Sequence, residues 1–207
     1  MMADSSTQKL RLFVAIPVPE AVRNEVIRVQ RELRRLVPPD AIRWTKPEQF
    51  HLTLRFLGDV SSDRVAALKE SVHTVCSGES ALRLCAQGVG FFPNTRSPRV
   101  VWAGVNDGEG RLADLQKKIE SAVQLFTKEP GTERFAGHMT LGRVKFLKRP
   151  EIEKLAAHAQ TVKDRLLGEW TAQEIEIIRS ELSPEGARYT SLAVFQLGAE
   201  IEPLHLV

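Results

Sequence analysis

Leu10, Leu12, Val14 and Ile16 fall on one face of an extended segment, while Arg11, Phe13 and Ala15 fall on the other. A period of two predicts a β-strand, and Phe13 is the odd member of its less aliphatic face. Pro17 and Pro19 end that run. Val22, Val26, Val29, Leu33 and Leu36 then recur at the spacing of an amphipathic helix, closed by Pro38 and Pro39. After residues 42–45 the pattern predicts a strand over 50–57, turned by Gly58. A helix follows, capped by Ser61 or Ser62 and carrying Val65, Leu68, Val72 and Val75. Strands over 82–89 and 99–105 lead to a helix with Leu112, Leu115, Ile119, Val123 and Phe126, and a strand over 135–144 comes next. Pro150 suits the first turn of a helix through Ile152, Leu155 and Ala159, and 174–181 and 189–197 read as a closing strand pair.

This order is mixed and not a strict strand–helix–strand repeat. It predicts an α+β protein in which helices cover the outer faces of two largely antiparallel sheets. The 207 residues, 43% of them hydrophobic and 27% charged, suffice for a substantial core in one domain or in two small lobes sharing a cleft. Residues 1–8 are polar and are expected to be a flexible segment ahead of a single folded domain over 9–207. They lack the basic region and apolar run of a secretory signal, and no run of about 18 apolar residues occurs. A cytoplasmic protein without a membrane span is the expectation. Cys76 and Cys85 form no CxxC pair and support neither a disulfide framework nor a zinc site. A net charge of +3 and a pI of about 9.0 lean toward a polyanionic partner without requiring one.

A repeated tetrapeptide carries the chemistry. His51-Leu52-Thr53-Leu54 and His138-Met139-Thr140-Leu141 use two of only five histidines, and each lies in a predicted strand. Alternation puts His51 and Thr53 on one face, with Leu52, Leu54 and Phe56 on the other as core anchors. His138 and Thr140 are arranged in the same way against Met139 and Leu141. Two such strands facing one another present two imidazoles and two hydroxyls to a cleft. That set suits a cyclic phosphodiester, where one imidazole takes a proton from attacking water and the other protonates the departing ribose oxygen. The threonine hydroxyls supply donors to the developing charge, and the scheme calls for no metal or cofactor. The two histidines stand far apart in sequence, with no clustered Asp, Glu or Cys to complete a zinc site.

At these residues the chain resembles the two-histidine (2H) phosphoesterase superfamily, in particular its RNA 2′,3′-cyclic phosphodiesterase branch, also called the 2′-5′ RNA ligase family. The likeness extends to Leu12-Phe13-Val14-Ala15-Ile16, Arg43-Trp44, Leu54-Arg55-Phe56-Leu57-Gly58, Phe92-Pro93 and Pro98-Arg99-Val100-Val101-Trp102-Ala103-Gly104. It ends in a pattern of Leu182, Pro184, Gly186, Tyr189 and Leu192. The resemblance implies a bilobal, pseudo-twofold α+β fold with one motif from each lobe facing a central groove. It also implies His51 as proton donor, His138 as proton acceptor, Thr53 and Thr140 on the phosphate, and a 2′-phosphomonoester product. Phe13 and Arg143 are implied as holders of the terminal nucleoside. Arg143 has the opposite strand parity to His138, so reaching the site requires a bend or bulge, which Gly142 permits.

RNA bearing 2′,3′-cyclic phosphate ends is thus the expected partner, and a monomer is the expected state. Alternatives are ATP-independent 2′-5′ ligation by the reverse reaction, a small cyclic nucleotide or 2′-5′ oligonucleotide as substrate, or a noncatalytic module that binds RNA ends. No GxxxxGK[ST] loop suggests ATP-driven sealing. Arg143, Lys145, Lys148 and Arg149 form a basic run that is either a solvated face or an RNA contact, as are Arg55, Arg96 and Arg99. His73, His158 and His205 read as structural or surface groups, and Trp44 and Trp102 as packing.

Overall fold

The computed structural model describes residues 8–131, 134–183 and 186–198. Residues 1–7 of the expected flexible start, Pro184 and His205 lie outside them. The alternating start forms β1 (Lys9–Pro17) and the valine stripe forms α1 (Glu20–Arg34), which buries Val22, Val26, Val29, Gln30 and Leu33. A short β2 (Ile42–Trp44) and one 3₁₀ turn precede β3 (His51–Ser61), then come α2 (Val65–Ser77), β4 (Leu82–Phe92) and β5 (Val100–Asn106). The second half runs through α3 (Arg111–Val123), β6 (His138–Val144), α4 (Arg149–Thr161), β7 (Leu166–Ala172), β8 (Glu174–Ser183) and β9 (Gly186–Gln196).

The strands make two sheets, ordered β3-β1-β8-β9 and β2-β6-β5-β4-β7, and every ladder within them is antiparallel. Two of the helices cross between the sheets, while α2 and α4 stay on the sheet whose strand they follow. α1, which follows a strand of the first sheet, packs on the second, where Gly168 of β7 leaves room for Val22: a Cβ at Gly168 would sit 2.9 Å from Val22 Cγ2. α3, which follows a strand of the second sheet, packs on β3 of the first. Burying aliphatic side chains of this kind contributes about 1.5–3 kcal/mol each, so the stripes of α1 and α3 anchor both layers. No helix among the described residues is long and apolar enough to cross a membrane.

Three expectations about the fold need correction, and one strand has no counterpart in them. Gly58 does not turn the chain: it lies inside β3 with φ of 65°, where the ladder to β1 slips between Leu12–Gly58 and Phe13–Phe56. Ser61 and Ser62 do not cap α2, because Ser61 still pairs with Lys9 in the sheet and a 3₁₀ turn at Ser62–Arg64 intervenes. β7 has no counterpart in the sequence pattern. It is an edge strand with Gly168 and Glu169 at its middle, and its alternation is too weak to be read. Arg55 is not available to RNA. It is buried, and its guanidinium donates to the carbonyls of Pro130 (2.6 Å) and Glu129 (2.7 Å), holding the loop ahead of β6 against β3.

Candidate active site

Each HxTL motif opens its strand, and each strand is bulged at the motif's fourth residue. In β3, Thr53 pairs with Ala15 and Arg55 with Val14, so Leu54 is the extra residue. In β6, Thr140 pairs with Trp102 and Gly142 with Val101, so Leu141 is the extra residue. An extra residue inverts the alternation beyond it. Arg143, opposite Val100, therefore returns to the face of His138, Thr140 and Trp102. The bend that the sequence required of Arg143 is this bulge, beside Gly142, where a Cβ would meet Ile42 Cγ2 at 2.7 Å. The same inversion corrects the placement of Phe56. It lies opposite Phe13 on the face of His51 and Thr53, not among the core anchors.

A buried glutamine serves each bulge from the helix behind it. The Gln30 amide of α1 donates to the Leu141 carbonyl (2.9 Å) and to the Thr45 carbonyl (2.8 Å). The Gln116 amide of α3 donates to the Leu54 carbonyl (3.4 Å) and to the Glu120 carboxylate (2.5 Å). Bulging disturbs the ladder, and a polar side chain within an apolar helical stripe satisfies what the ladder leaves. Sequence pattern alone did not single out either glutamine. Their one signal is a lone amide set inside each run of valines or leucines.

The two rings are held alike. Nδ1 of His51 lies 2.6 Å from the carbonyl of Gln49, and Nδ1 of His138 lies 2.7 Å from that of Ala136, each two residues back along the chain. With Nδ1–H donating to a carbonyl, Nε2 is left for the cleft. Aromatic rings wall each side. Phe13 and Tyr189 stand 4.7 Å and 5.4 Å from the His51 ring, and Phe92 and Trp102 stand 4.9 Å and 6.3 Å from His138. Phe13 belongs to a small cluster with Ala15, Ile178, Phe56 and Tyr189, set apart from the main core. Tyr189, Phe92 and the cleft-side position of Trp102 were not foreseen as parts of the site.

Charge links the two halves. Burial lowers His51 to about 4 from an ordinary 6.5; the Gln49 carbonyl opposes that shift, and a positive His138 adds to it. Burial also lowers His138, the Ala136 carbonyl opposes the change, and Arg143 adds to it. Burial raises Tyr189, and Arg143 and Arg11 oppose that rise. Arg143 of the second sheet thus acts on both His138 and Tyr189, the ring that touches His51. β3 and β6 are in contact and the charge of His138 is felt at His51, so the two motif strands of the separate sheets are neighbours. His158 lies 3.1 Å from Glu32, which Arg165 also grips, so it ties α4 to α1.

A family model described as LigT like Phosphoesterase matches residues 16–102 and 104–189. An RNA 2′,3′-cyclic phosphodiesterase of Methanothermobacter thermautotrophicus is 33% identical over 191 residues, 91% of this chain and 100% of that protein. One of Thermus thermophilus is 34% identical over 197 residues, 92% of each chain. Among solved structures, the Thermus thermophilus protein TT0787 matches with a TM-score of 0.74 at 31% identity, covering 92% of this chain and 100% of that one.

Proposed function

The chain belongs to the LigT-like phosphoesterase family, and from that membership and the geometry of its cleft we propose that it hydrolyses RNA 2′,3′-cyclic phosphate ends to 2′-phosphomonoesters. The observation that carries this reading is the pair of imidazoles, one from each sheet, each fixed through Nδ1, with the charge of His138 felt at His51.

In the proposed reaction His138 Nε2 takes a proton from water as the water oxygen bonds to phosphorus. The bond from phosphorus to the ribose 3′ oxygen breaks, and His51 Nε2 gives that oxygen its proton. Thr53 and Thr140 donate to the nonbridging oxygens, where negative charge builds. Phe13 and Tyr189 offer the terminal nucleoside an aromatic wall, and Arg143 places a positive charge beside the phosphate. Burial disfavours imidazolium at His51. A bound phosphodiester anion favours it, so substrate itself promotes protonation of the acid.

The test is an RNA oligonucleotide with a 2′,3′-cyclic end, incubated in the presence of EDTA. A 2′-phosphate product is expected. His51→Ala and His138→Ala are each expected to lower kcat by about 10²- to 10⁴-fold, the usual worth of one positioned proton transfer. Failure to open the ring, or full activity in either variant, would refute the assignment.

A further inference from the structure

Beside His51, a groove of about 400 Å³ runs between the 3₁₀ turn before β3 and the β8–β9 hairpin. Lys46, Glu48, Gln49, Ser183, Arg188 and Tyr189 line it. Two of these residues join it directly to the site: the Gln49 carbonyl holds the His51 ring, and the Tyr189 ring packs edge-on against that ring. The Gln49 amide donates to the Ala187 carbonyl, which fixes the two walls to one another. Its charged groups are the exposed side chains of Lys46 and Arg188 against a single acid, Glu48. Neither cation is in an ion pair among the described residues.

We infer that this groove binds the RNA strand 5′ to the cyclic end, with Lys46 and Arg188 holding its backbone phosphate, so that the protein is built for oligonucleotides over mononucleotides. The inference rests on the function proposed above and on its direction. The oxygen that leaves phosphorus is the ribose 3′ oxygen, the 2′ oxygen staying bonded, so the acid must stand on the 3′-oxygen side of the phosphorus and the attacking water opposite it. The chain continues from that same ribose through its 5′ oxygen. It therefore departs on the side of His51, where the groove begins at Tyr189. The volume falls in the range of small-ligand sites, large enough for about one nucleotide unit. Two flexible cations recognise a phosphate without reading a base, so the preference is for length and not for sequence.

Uridine 2′,3′-cyclic phosphate and an RNA trinucleotide ending in a 2′,3′-cyclic phosphate separate the possibilities. With the unaltered protein, kcat/KM is expected to be higher for the trinucleotide, and its logarithm is expected to fall more steeply with log salt, by roughly 0.7 for each phosphate held. In a Lys46→Ala/Arg188→Ala variant, shown to be folded by circular dichroism, the trinucleotide-to-mononucleotide ratio is expected to drop about tenfold, since charged hydrogen bonds of this kind are lost. The extra salt dependence is expected to vanish with it. Lys117→Ala, on the exposed face of α3, is expected to keep the ratio. A ratio unchanged in the double variant, or equal turnover of both substrates by the unaltered protein, overturns the groove while leaving the cyclic phosphodiesterase standing. Hydrolysis of neither substrate overturns both.

Discussion

Proton affinity at single residues sets how the proposed acid and base share their work. Burial holds His51 at about 4 and keeps His138 below its ordinary value, so each ring gives up its proton more readily than a free imidazole. Because kcat/KM reports the free enzyme, both limbs of its pH profile are expected below 6.5, with the rate falling as pH rises toward neutrality. The kcat profile belongs to the complex, where a bound phosphodiester anion favours imidazolium, so its limbs are expected at higher pH. Parallel measurement of the two profiles checks this. Coincident limbs, or a kcat/KM maximum above about pH 7, would contradict the electrostatics described.

Elements carry the next level of control, because a bulge in each motif strand decides which side chains reach the cleft. Gln30→Met removes two donated hydrogen bonds, to Leu141 and Thr45, and Gln116→Met removes the bond to Leu54. Each loss is expected to cost roughly 1–3 kcal/mol, seen as a lower urea midpoint. kcat is expected to fall more than KM rises, since the bulges aim Arg143 and fix the strands behind both histidines. Variants with wild-type midpoints and wild-type kcat would show that the bulges hold without the amides. This level was also the hardest to read in advance. Period two placed His51 with Thr53 and His138 with Thr140, and it gave the α+β class, because those stretches precede the bulges or avoid them. Leu54 and Leu141 look like any strand leucine, so nothing local told that Phe56 would join Phe13, or which residue would return Arg143 to the face of His138. Tyr189 reaches His51 only through the ordering of strands, which follows from long-range packing and not from local pattern.

For the molecule as a whole, one core extends through both sheets, and two of the helices exchange layers: α1 joins α4 behind the second sheet while α3 joins α2 behind the first. Each sheet depends for part of its cover on a helix that follows a strand of the other. Thermal unfolding followed by far-ultraviolet circular dichroism and by tryptophan fluorescence is therefore expected to give one shared midpoint. Two separated transitions would show that the halves stand independently.

That exchange has a counterpart in assembly. A chain holding only the first strand and helix of such a pattern would expose an apolar helix with no sheet of its own to rest on, and would find relief on the sheet of a second molecule. Within one chain that relief is intramolecular: each motif strand is served from behind by a helix that follows a strand of the other sheet, so neither can be withdrawn without baring the other's support.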